Sequence, residues 1–144
     1  MRIYAIIITL FFITLSSGVA MAERLAVSAS VANIRSGPGT KYDIIWQVGK
    51  YHPIQIIKKS GAWYRFRDFE QDEGWIHKSL VGKIRTVITK KKKSNIRSGP
   101  GTRHKIVFTV EKGIPFRVIK RKGSWIFIEH ADEDKGWIYE ALVW

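Results

Sequence analysis

The chain has no cysteine among its 144 residues. That excludes disulfide stapling, a cysteine-linked lipid anchor and any hydrolytic mechanism built on a thiolate nucleophile. Acidic residues are scarce as well: 12 Asp and Glu face 25 Lys and Arg, for a net charge of +13. Outside the first 22 residues no stretch of useful length carries the 3.6-residue apolar period, so a helical bundle is excluded. Catalytic patterns are missing too. His52, His77, His104 and His130 are scattered, with no i,i+4 pair and no His-x-Glu site. No metal and no cofactor is expected from such spacing. No nucleophile elbow occurs, and the chain is expected not to be an enzyme.

What is present begins with a leader. Met1-Arg2 gives a short positive start, Ile3 to Leu15 is apolar, Ser16-Ser17-Gly18 breaks the run, and Ala20-Met21-Ala22 places small residues at cleavage spacing. This is the three-part order of a secretory signal peptide, residues 1–22. The apolar run falls short of the ~20 residues a spanning helix needs. The expected address is the periplasm or the medium. Membrane contact is then expected only through an uncleaved leader, and export argues against nucleic acid as a partner.

The remainder is a duplication. Asn33-Ile34-Arg35-Ser36-Gly37-Pro38-Gly39-Thr40 recurs letter for letter as Asn95 to Thr102, 62 positions later. With that offset and no gap, 22 of the 49 positions from Asn33 to Val81 match their partners. An internal repeat sets the architecture: domain one spans 23–82 and domain two 83–144, joined at Gly82-Lys83. Units this small bury barely enough surface to fold alone, and the six Trp and seven Phe are the expected source of packing.

Each unit reads as short strands. Ile44 to Val48, Pro53 to Lys58, Trp63 to Arg67 and Gly74 to His77 are β-rich, and each has a counterpart 62 residues on. Period-two alternation puts Tyr64 and Phe66 on one face, with Trp63 and Arg65 on the other. Gly-Pro-Gly predicts a type II turn, with Gly39 at positive φ. The fold class is therefore all-β, two tandem small barrels. The acids Asp68 to Glu73 fit no calcium-loop spacing and read as a solvated turn.

The repeated Asn-Ile-Arg-Ser-Gly-Pro-Gly-Thr start, the Gly-x-Trp centre (Gly61 to Trp63, Gly123 to Trp125) and the Gly-Trp-Ile end (Gly74 to Ile76, Gly136 to Ile138) resemble the bacterial SH3, or SH3b, family. The resemblance covers nearly all of the chain after the leader, twice. It implies SH3-like β-barrels and a binding role in the bacterial envelope, commonly on peptidoglycan or its cross-bridge peptides. Many members carry such modules beside a wall hydrolase, and this sequence shows no hydrolase domain. The family fold does not fix the ligand.

Candidate contact residues are Trp63 and Trp125, with Arg35, Lys41 and Tyr42 in the first domain and Arg97, Arg103 and His104 in the second. Tryptophan offers a flat wall with a polar edge. The others are expected to form a cationic, hydrogen-bonding groove wall in the loop after each glycine turn. Lys90, Lys91, Lys92 and Lys93 lie in a basic stretch beginning at Lys83, which reads either as a polyanion patch or as a solvated basic linker. Three partners remain open at this point: peptidoglycan, an extended segment of an envelope protein, or anionic polymers held by charge alone.

Overall fold

The computed structural model describes residues 22–144. The expected leader lies, apart from Ala22, outside the described residues. The first barrel is built from β1 (Arg24–Val27), β2 (Val31–Arg35), β3 (Ile44–Gly49), β4 (Pro53–Ser60), β5 (Trp63–Arg67), β6 (Glu73–His77), a 3-10 turn (Lys78–Leu80) and β7 (Val81–Gly82). The second repeats it as β8 (Thr86–Ile88), β9 (Lys93–Arg97), β10 (Ile106–Glu111), β11 (Pro115–Lys122), β12 (Trp125–Glu129), β13 (Lys135–Tyr139) and a 3-10 turn (Glu140–Leu142). The spatial orders are β3-β2-β6-β5-β4-β1-β7 and β10-β9-β13-β12-β11-β8. All pairings are antiparallel.

One long strand in each unit turns the sheet back on itself. β4 pairs with β1 through Pro53 to Gln55 and with β5 from Gln55 onward, and its register shifts between Ile56 and Lys58. β11 does the same, with the shift between Val118 and Lys120. A bulge adds a residue on one side and bends the strand, which lets a small sheet curl around a core. At the β4–β5 and β11–β12 hairpins Gly61 and Gly123 supply φ of 59° and 57°.

The cores are more aliphatic than the aromatic count suggests. Phe66 and Phe116 are fully buried, but isoleucine fills most of the interior: Ile34, Ile54 and Ile76 in the first barrel, and Ile96, Ile126, Ile128 and Ile138 in the second. Five of the six tryptophans stay partly exposed, and Trp137 is buried against Phe127, the rings 5.1 Å apart and stacked. The reason is geometric. The alternation puts Phe66, Ile126 and Ile128 inward, so Trp63 and Trp125 in the same strands face the rim.

Three expectations change. The Gly-Pro-Gly segment is not a type II turn: Gly39 and Gly101 are absent from the positive-φ residues. Instead Gly39 N–H donates to Gly37 O at 2.9 Å and Gly101 N–H to Gly99 O at 3.0 Å, a tight three-residue turn about each proline. Gly37 and Gly99 are needed for another reason. The rings of Tyr42 and His104 lie where a Cβ would project. Second, the lysine run is no linker. Lys90 to Lys92 form the exposed β8–β9 turn and Lys93 opens β9, all inside the second barrel. Third, Asp68 is buried at 5% exposure, not solvated. Its Oδ1 accepts from Glu70 N–H at 2.9 Å and Asp72 N–H at 3.0 Å, closing the β5–β6 loop. Desolvation pushes this carboxyl above its ordinary range, against those two bonds.

The barrels touch. The Arg24 guanidinium lies 4.0 Å from the Trp144 ring centroid and donates to Trp144 O at 2.9 Å and to Thr86 O at 3.4 Å. On the other side Lys112 pairs with Glu70 at 3.4 Å and sits over the Phe69 ring.

Candidate functional site: a groove made twice

The arginine that ends β2 organises the loop beside it. Arg35 Nη1 donates to the carbonyls of Thr40 at 3.0 Å and Tyr42 at 2.9 Å. Arg97 does the same for Thr102 at 3.1 Å and His104 at 3.0 Å. One guanidinium edge thus satisfies two loop carbonyls, a task its fixed fork suits. Each arginine belongs to the groove wall and also holds that wall in shape.

The loop then leans over the rim tryptophan. In the first barrel Arg35, Thr40 and Trp63 line a groove of about 450 Å³ with Val31, Asn33, Gln47, His77 and Leu80. In the second, Arg97, Thr102 and Trp125 line one of about 490 Å³ with Lys93, Asn95, Gly101, Tyr139 and Leu142. Seven of the eight positions in each set correspond across the repeat, so both barrels present an equivalent concavity. Its floor is aromatic. Trp63 meets His77 edge to face at 5.2 Å, and Trp125 meets Tyr139 at 5.6 Å with a 46° tilt. In the first barrel the groove also offers amides: Gln47 Nε2 donates to Asn33 Oδ1 at 2.7 Å. His77 Nδ1 accepts from Ser79 N–H at 3.2 Å, which fixes the ring across the groove.

Of the sequence candidates, the structure brings together Arg35 with Trp63 and Arg97 with Trp125, and adds Lys93 to the second groove. Tyr42 and His104 lie outside the lining, their rings packed on the glycines of the turn. Lys41 and Arg103 are exposed beside them and also outside it. Asn33, Thr40, Leu80 and their counterparts Asn95, Thr102 and Leu142 were not singled out from the sequence. Their identity across the two copies was the available signal.

A larger cavity of about 850 Å³ lies between the barrels, lined by His52, Asp68, Phe69, Pro115 and His130 among others. It contains none of the eight groove candidates, so size alone does not make it the preferred site. His52 there is 8% exposed, and burial pulls its pKa down to about 4.

Two small antiparallel barrels, each with a tryptophan-lined groove, make a tandem pair of like modules. Residues 28–83 and 90–144 each match the bacterial SH3 domain, and the chain belongs to that family. Among similar proteins is a putative N-acetylmuramoyl-L-alanine amidase, YrvJ, of Bacillus subtilis. It is 29% identical over 92% of this chain and 27% of its own length. A probable cell wall amidase, LytH, of Staphylococcus epidermidis is 38% identical over 35% of this chain and 18% of its own. The chain thus spans about a quarter or less of these relatives. Two solved structures are also similar: an NlpC/P60 family protein from Bacillus cereus, at 10% identity and TM-score 0.40, and NlpC1 from Trichomonas vaginalis, at 15% and 0.37. They cover 85% and 93% of this chain, and 56% and 50% of their own.

Proposed function

We propose that the chain is a non-enzymatic binding protein of the bacterial cell envelope, whose two grooves hold a peptide or glycan segment of peptidoglycan. The observation that carries this is the duplicated groove. A tryptophan floor supplies contact area, and Asn33, Thr40 and their counterparts supply the hydrogen-bonding groups an extended polar polymer needs. The groove residues pair no acid with His77, so they offer binding contacts and no general-base dyad. The leader read from the sequence and the amidase names of the relatives support the envelope address. Two weak sites on one repeating polymer gain avidity when both engage.

Co-sedimentation with purified peptidoglycan sacculi tests this, at low salt and at about 0.5 M salt, where screening strips purely electrostatic contacts. Pelleting is expected to survive the higher salt. Trp63→Ala and Trp125→Ala are each expected to weaken it by about tenfold or more, and the double variant to abolish it. Pelleting only at low salt would reduce the binding to charge.

A second reading is an adaptor for extended segments of an envelope protein. The open edges favour it: β3 exposes Ile44 and Ile45, and β10 exposes Ile106 and Val107, at matching positions. An extended peptide adds to such an edge through main-chain bonds. Free muropeptides displace the ligand under the first reading and leave it in place under the second.

A further inference from the structure

We infer that a cationic cavity at the foot of the second barrel binds an anionic amphiphile, a molecule with a phosphate or carboxylate head and an aliphatic portion. The cavity measures about 660 Å³ and lies where β1 and the inter-barrel segment meet β8 and β11. Arg24, Lys83, Arg85 and Arg121 line it, and Glu140 is the one acidic side chain among them. Glu140 meets Arg121 only at 3.9 Å, with both side chains about half exposed. The cationic excess is three, and a carboxylate at Trp144 would still leave two.

The first barrel provides an internal reference. The positions of Arg85 and Arg121 correspond there to Glu23 and Lys59, which form an ion pair at 2.8 Å. The backbone is the same in both places. Ile56 N–H donates to Glu23 O, and Val118 N–H to Arg85 O, each at 2.8 Å. A matched pair in one barrel has thus become two guanidinium groups in the other. Arg24 adds a third, drawn from the first barrel and stacked on Trp144. Desolvation first, then repulsion from Arg121, pulls the Arg24 guanidinium below its ordinary value. Glu23 reaches Lys83 only through its field and is held by Lys59. Cations gathered beside apolar surface with so little counter-charge are stabilised by a bound anion.

The floor selects against a bare anion. Ile84 and the Trp144 ring line the cavity half-buried, with the buried Val87, Val118 and Ile126 beside them. An aliphatic chain gains by covering Ile84 and the Trp144 ring, and the head then meets the guanidinium groups in the planar geometry that favours phosphate and carboxylate. This site does not correspond to the repeated groove and stands or falls apart from it.

The test uses dodecyl phosphate below its micellar concentration, added to the chain with both barrels and followed by amide and indole NMR shifts. Dodecyl phosphate is expected to shift Val87, Val118 and the Trp144 indole, and to bind at least about tenfold more tightly than either inorganic phosphate or dodecyl maltoside. Arg85→Glu installs the first barrel's ion pair and is expected to lower the affinity by about tenfold or more while leaving the spectrum folded. Arg121→Gln gives the same loss and serves if Arg85→Glu fails to fold. Replacing Lys90 to Lys92 by Gln is expected to leave dodecyl phosphate binding unchanged. Wild-type affinity in Arg85→Glu or Arg121→Gln, equal binding of inorganic phosphate or maltoside, or shifts centred on the lysine turn would each overturn the proposal.

Discussion

Single residues in this chain do different work at equivalent positions. His52 is the sharpest case, because its counterpart is Ile114. Buried with Nε2 unpartnered, it titrates at about 4 in the fold against an ordinary value of 6.5. The unfolded chain therefore binds this proton first as pH falls. Stability is full above the unfolded pKa and is lost as pH drops through 6.5 toward 4. Between pH 7 and pH 5 this one group costs about 2 kcal/mol. His52→Ile is expected to flatten the fall in melting temperature across that range, and Asp68 contributes equally to both proteins. Arg35→Ala strips two loop carbonyls of their donor and is expected to cost about 1 kcal/mol, read by urea denaturation, with Arg35→Lys a poor rescue. The sequence marked both arginines and both rim tryptophans as contact residues, because charge and aromaticity are visible in a string of letters. It could not show that an arginine spends one edge on its own loop.

Among the elements, the Gly-Pro-Gly loop shows where local reading stops. The letters fit a type II turn, and the chain makes a tighter turn because the ring of Tyr42 or His104 claims the space over the first glycine. That cause lies in residues three to five positions on and in their packing, which turn chemistry alone does not contain. Gly37→Ala is expected to destabilise the first barrel by about 1–2 kcal/mol by displacing the Tyr42 ring. Tyr42→Ala in the same chain is expected to recover most of that loss in a double-mutant cycle. The strands themselves were legible. Period two placed Phe66, Ile126 and Ile128 inward and Trp63 and Trp125 at the rim, as found. The bulges in β4 and β11 were not, since one extra residue leaves no mark in a composition of β-formers.

For the whole molecule, the duplication announced two barrels, and the match to two family segments agrees. How the barrels meet was hidden, because Arg24 and Trp144 are 120 residues apart and neither belongs to a motif. Their stacking and hydrogen bond, with Lys112 and Glu70 on the other side, join two units that are each marginal by size. Arg24→Ala is expected to split one calorimetric unfolding transition into two. Retention of a single transition at the wild-type temperature would show that the contact carries no coupling. The lysine turn acts at this scale too. Lys93 stands at the rim of the second groove, with Lys90 to Lys92 just outside it. Replacing Lys90 to Lys92 by Gln is expected to slow association at low salt and to leave dissociation unchanged.

The repeated octapeptide also carries a hazard for assembly. β2 and β9 share Asn-Ile-Arg and lie between equivalent neighbours, β3 and β6 in one sheet, β10 and β13 in the other. A chain that is only half folded thus holds two interchangeable strands for each vacancy. Refolding from denaturant at high protein concentration should yield strand-exchanged dimers alongside the monomer, and synthesis from the amino terminus, which closes the first sheet before the second copy exists, avoids that competition.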